Sequence, residues 1–113
     1  MIWLDRICAC VVLLGAIGHS FGSFAAYSAS RETLLWALCG SALAGLVGAT
    51  NLLRSLRPGD KALAAIALAG TLAWLIASIG FGLVIGNLAD ARVIGFAVAC
   101  IALLFFNLKV LGT

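Results

Sequence analysis

The stretch ALAAIALAGTLAWLIASI, residues 62–79, holds no charge, and only Thr71 and Ser78 bring a hydroxyl to it. A surface helix of a water-soluble domain would show a polar face at a period of 3.6 residues, and a barrel strand would alternate apolar and polar side chains over roughly ten residues. The segment does neither. It is apolar on every side, and it continues without a charge to Ala89. A helix satisfies its own backbone in hydrocarbon, and about 20 such residues cross a core of roughly 30 Å. The segment therefore predicts a transmembrane helix.

Outward from this segment the same pattern repeats. Uncharged runs cover Ile7 to Ser30, Thr33 to Leu53, Ala62 to Ala89 and Val93 to Leu108. The last reaches bilayer length if Lys109 snorkels, so that Val110 and Leu111 still face lipid. Four spans are expected, at about 7–28, 33–53, 62–86 and 92–111, forming one domain over residues 1–113. The fold class is all-α, an integral membrane four-helix bundle.

The connections fit this division. Arg57-Pro58-Gly59-Asp60 has Pro and Gly at the two central turn positions and Asp60 as a helix N-cap, which reads as a tight hairpin. Ser30-Arg31-Glu32 and Asn87-Leu88-Ala89-Asp90 each place an acid where the following helix dipole favours it. The first run, followed by the small residues Ser28-Ala29-Ser30, could be taken for a signal peptide. It is longer than a signal h-region and three spans follow it, so it is read as a helix of the mature protein.

Composition supports lipid as the solvent. Of 113 residues 65% are hydrophobic and 10% charged, and a chain this short could not hide so much apolar surface from water. Seven Lys and Arg against four Asp and Glu give a net charge of +3, but the basic residues occur singly, which argues against nucleic-acid binding. Cys8, Cys10, Cys39 and Cys100 all lie in apolar stretches without a Cys-x-x-Cys pair, so they are read as small packing residues, and no metal site is expected.

Arg6, Arg54, Arg57, Lys61 and Lys109 fall on one side of the four spans, and Arg31 and Arg92 on the other. The excess of basic residues marks the cytoplasmic side. Both termini are therefore expected in the cytoplasm, with the chain in the inner membrane of a bacterium. Trp3 and Trp36 stand near opposite membrane surfaces, and Trp74 lies in mid-span, where it is expected to pack between helices.

Helices in lipid associate through small residues and interhelical hydrogen bonds. Each span has a small-xxx-small pair: Gly18 with Gly22, Ser41 with Gly45 beside Ala44 with Gly48, Gly82 with Gly86, and Gly95 with Ala99. These are the expected seams. Four short helices enclose little interior, so a homo-oligomer or a complex with other membrane subunits is expected. Asn51-Leu52-Leu53-Arg54 and Asn107-Leu108-Lys109 form a faint internal echo, as do Leu14 to Gly18 and Ile76 to Gly80.

Candidate chemistry is sparse. His19 lies near the middle of the first span, where an ionisable group is costly. At helical spacing Ser23 and Tyr27 share its face, Ser20 is adjacent, and Gly15 and Gly22 leave room beside it. The group suits either a clasp to a neighbouring helix or a small intramembrane site. Haem through His19 would need a second chain to supply the other axial histidine. Asn51, Asn87, Asn107, Thr50 and Thr71 are expected to satisfy themselves locally.

In size and span count the chain is similar to small dimeric multidrug exporters. That family depends on a glutamate inside its first helix, and Ile7 to Ser30 contains no acid. Asp5, Glu32, Asp60 and Asp90 are all read as helix-end residues. Three roles follow. The first is a structural or accessory subunit of an oligomeric membrane complex, which needs no catalytic residue. The second is a small oligomeric transporter or channel for a neutral or lipophilic solute, with its site around His19, Ser20, Ser23 and Tyr27. The third is a membrane redox component with His19 as a cofactor ligand. No nucleophile, base and orienter set can be assembled for an enzyme.

Overall fold

The computed structural model describes residues 1–113, which form four α-helices: α1 (Ile2–Tyr27), α2 (Arg31–Leu56), α3 (Lys61–Val84) and α4 (Ala91–Leu111). All four are long and apolar enough to cross a membrane, the form of a multi-pass membrane protein. Each helix packs against two neighbours, in the cyclic order α1, α2, α3, α4, with successive helices antiparallel. Both chain termini and the α2–α3 turn thus share one end of the bundle, called here the terminal end. The α1–α2 and α3–α4 turns form the distal end.

Two helices extend beyond the uncharged runs. α1 starts at Ile2 rather than near residue 7, and α2 continues to Leu56 rather than stopping at Leu53. The reason is that Asp5, two residues before the first run, and Arg54, which closes the second, neutralise each other inside the bundle instead of leaving it. α3 is shorter than expected. It closes with Asn87 N–H donating to the Gly82 carbonyl at 2.9 Å and Gly86 N–H to Leu83 at 3.1 Å, a Schellman termination that requires the left-handed backbone of Gly86 (φ 67°). Gly86 therefore ends the helix rather than forming a seam with Gly82.

The turns carry the expected chemistry. Gly59 has φ 83°, the Asp60 amide returns to the Arg57 carbonyl at 3.3 Å, and the Asp60 side chain caps α3 by accepting from Leu63 N–H at 2.9 Å. Ser30 caps α2 through Thr33 N–H, and Asp90 caps α4 through Arg92 N–H.

Only 24 of 113 residues are buried, and large apolar side chains such as Phe21, Leu46, Ile66 and Val98 point outward all round the bundle. That exterior suits acyl chains. The core is built largely of small residues, Ala9, Val12, Ala16, Ala44, Val47, Ala99 and Cys100, closed by Leu103 and by Trp74. Gly48 makes the closest backbone approach: a Cβ there would lie 2.9 Å from the Leu13 nitrogen and 3.1 Å from the Ala9 carbonyl oxygen. Gly82 meets Leu88 and Val93, and Gly45 meets Ala16. Gly18, Gly22 and Gly95, expected as seams, have no neighbour within 4 Å of a built Cβ. Their sides of α1 and α4 diverge instead of touching.

Polar fastening is concentrated at the terminal end. Arg54 donates to both carboxylate oxygens of Asp5, with Nη1 to Oδ2 at 2.7 Å, and the two side chains are only 3% and 7% exposed. One turn further in, Asn51 Nδ2 donates to Thr71 Oγ1 at 2.8 Å, and Asn107 Nδ2 donates across the bundle diagonal to Asn51 Oδ1 at 3.0 Å. Asn51, Thr71 and Asn107 are fully buried. The expectation of local satisfaction fails for Asn107 and is met only in part by Asn51, which donates to the Val47 carbonyl at 2.8 Å as well as across the bundle. It holds for Thr50, bonded to the Leu46 carbonyl, for Thr71, whose hydroxyl donates to the Ala67 carbonyl at 2.6 Å, and for Asn87, which accepts from Ala89 N–H.

Candidate functional site: a distal vestibule around His19

In the distal half the helices separate, leaving two open cavities that share one wall. The first, about 340 Å³, lies between α1 and α4, with Gly15, Gly18 and Gly22 on one side and Gly95 on the other. The second, about 450 Å³, lies between α2 and α3, lined by Trp36, Ala37 and Gly40 and by Trp74, Ala77 and Ser78. His19, Tyr27, Phe81, Arg92 and Phe96 line both. Each cavity falls within the usual size range of small-molecule sites.

The shared wall is aromatic. Trp74 meets the His19 ring edge to face at 6.3 Å between centroids and the Phe96 ring at 5.2 Å. Phe96 rests directly on Gly15, where a Cβ would come within 2.6 Å of its ring, so the glycine admits the aromatic side chain between α1 and α4. Trp74 is 6% exposed, and its Nε1–H is buried without an acceptor. An indole N–H usually finds a partner when buried, and leaving such a donor unpaired costs on the order of 1–3 kcal/mol.

His19 is half-buried and tied to α2, with Nδ1 2.7 Å from Ser41 Oγ. Ser41 Oγ also donates to the Ala37 carbonyl at 3.3 Å. The hydroxyl has one proton, so both bonds form together only if Nδ1–H donates to Ser41 and Ser41 donates to Ala37. In that tautomer, assigned from the network, Nε2 keeps a free lone pair, and no group of the chain bonds it. His19 is thus both a clasp between α1 and α2 and part of the lining of both cavities.

The other expected site residues divide. Tyr27 stands with His19 at the shared wall. Ser23 lines the first cavity, but its buried hydroxyl donates to the His19 carbonyl at 2.7 Å. Ser20 faces away, into a shallow groove between α1 and α2, and donates to the Ala16 carbonyl at 3.1 Å. Trp74, Phe81, Arg92 and Phe96 join the site from α3 and α4, although the sequence alone did not assign them to it.

Arg92 stands at the distal mouth. Its guanidinium lies 5.0 Å over the Phe81 ring and bonds Asp90 through Nε at 2.9 Å and Nη2 at 2.8 Å. The Arg92 side chain, donating to Asp90, holds that carboxyl down to about 2 from the ordinary 3.8. Glu32 lines the second cavity nearby. At the distal end Arg31 and Arg92 are thus matched by Glu32 and Asp90, leaving no positive excess. No three His, Cys, Asp or Glu side chains come together in an arrangement that could hold a metal ion.

Fold and site together describe a bundle of four helices, each long and apolar enough to cross a membrane, with an open vestibule in one half. Comparison with protein-family models, with curated proteins and with solved structures finds no match.

Proposed function

We propose that this chain is a small transporter or carrier of the inner membrane, with both termini cytoplasmic, which takes a neutral or lipophilic molecule from the bilayer into the vestibule around His19. The observation that carries the reading is the contrast between the two halves of the bundle. The terminal half is closed by the Asp5–Arg54 pair and the Asn51–Thr71–Asn107 chain, while the distal half holds two cavities meeting at one polar, aromatic wall. Sealing on one side and opening on the other is the arrangement a carrier needs on the side from which it loads.

Cysteine accessibility tests this. In a variant with the four native cysteines replaced by Ala, a single Gly22→Cys or Ala77→Cys should react with a maleimide in native membranes, and an Ala64→Cys control in the closed half should not. Equal reactivity at all three positions, or none at Gly22 and Ala77, sinks the proposal.

A second reading has its own support. Gly18, Gly22 and Gly95 present flat, uncovered helix faces, the type of surface a further transmembrane helix packs against. An accessory subunit in a homo- or hetero-oligomer would use it in that way. Gly22→Cys would then be shielded from maleimide and would form cross-links to the neighbouring chain on oxidation.

A further inference from the structure

We propose that the vestibule selects a neutral lipophilic molecule carrying a hydroxyl group, a phenol or long-chain alcohol, whose O–H donates to His19 Nε2. The inference rests on the carrier reading and names the chemical class it would load.

Three observations lead to it. With Ser41 donating to Ala37, Nδ1 carries the imidazole proton, so Nε2 offers a lone pair and asks for a donor. A ligand hydroxyl supplies that donor. The rest of the wall, Phe81 and Phe96 with the Trp74 ring, is aromatic and suits an aryl ring or an acyl chain. The charge balance excludes an anion as the favoured guest, because Arg92 is already bonded to Asp90 and Glu32 adds a further negative charge. Entry from the side requires that the molecule partition into the bilayer, which a neutral phenol does.

The test is a ligand series with the full chain in nanodiscs, read by titration calorimetry against empty nanodiscs. The probes are 4-nonylphenol, its methyl ether 4-nonylanisole, nonylbenzene and decanoate. The phenol should bind saturably at one per chain. The ether has the same ring and tail but no donor, and it should bind about tenfold more weakly, the loss expected for one hydrogen bond. His19→Leu should abolish the preference for phenol over ether, and Ser41→Ala serves as the control for loss of the clasp with the imidazole retained.

The outcomes separate the two claims. If phenol, ether and nonylbenzene bind alike, the hydroxyl assignment is overturned and the vestibule reading stands. If decanoate binds more tightly than the phenol, the ligand class is overturned. If no probe binds above the lipid background, the hydroxyl proposal and the carrier reading fall together. Unchanged phenol affinity in the His19 variant also refutes the proposal.

Discussion

Replacing Asp5 with Leu should cost this small bundle a large share of its stability. Asp5 and Arg54 join the start of α1 to the end of α2 through two parallel charge-assisted bonds, with almost no solvent at either side chain. Bonds to charged groups contribute about 1.5–3 kcal/mol each, and removing one partner of a buried pair costs about 3–5 kcal/mol, because the other charge is left in a low-dielectric site. Asp5→Leu and Arg54→Met should each show a loss of about 3–5 kcal/mol, a 100-fold to several-thousand-fold shift in the folding equilibrium. The double variant should recover most of that loss, since it leaves no orphaned charge. The assay is reversible unfolding of the purified chain in mixed micelles with increasing dodecyl sulfate, followed by far-ultraviolet circular dichroism. Single variants within about 0.5 kcal/mol of the parent, or a double variant as damaged as the sum of the singles, would refute the picture of a dry, mutually compensated pair.

Further outcomes follow from the same geometry. Gly48→Ala should destabilise by about 1–3 kcal/mol, because the new methyl meets the α1 backbone, whereas Gly18→Ala should change nothing in the same unfolding assay. Asn107→Leu removes the diagonal bond to Asn51 and should cost about 0.6–1.7 kcal/mol, and Asn87→Leu, outside the bundle, should cost less. Asp90 has its folded carboxyl pKa depressed, so its contribution to stability is complete above the unfolded value of 3.8 and is lost as pH falls through about 2. Unfolding followed between pH 5 and pH 2 should show this decline in the parent and a flatter profile in Asp90→Asn. Reporter fusions or impermeant labels placed at Met1 and Thr113 should report the same compartment, and opposite compartments would contradict an even number of crossings.

The helices were readable from the sequence because charge-free runs and turn chemistry leave few alternatives. Residues 62–79 could not stand in water, and Arg57-Pro58-Gly59-Asp60 names its own turn. Interior partners were harder to read. A helix that is apolar on all sides has no stripe to fix its rotation, so Asn51 and Asn107 looked like end residues when they are the centre of a diagonal bond. Hairpin arithmetic did carry a signal. A turn centred near Ala29 sets partners on α1 and α2 at residue numbers totalling about 59, which pairs Asp5 with Arg54 and His19 with Ser41. The same arithmetic gives neighbours only, and the α2–α4 diagonal needs the closed ring as well. His19 and Tyr27 could be placed on one face by spacing. The contributions of Trp74, Phe96 and Arg92 depend on how far α3 and α4 splay, a quantity that small-residue pairs do not encode.

The one-sided placement of the Asp5–Arg54 and Asn51–Asn107 fastenings gives the molecule a fulcrum. Beyond it, His19–Ser41 is the one side-chain bond between helices, so the far turns stand at the end of a lightly braced arm. For a vestibule that loads from the bilayer, as proposed, acyl-chain saturation and bilayer thickness should then alter the aperture.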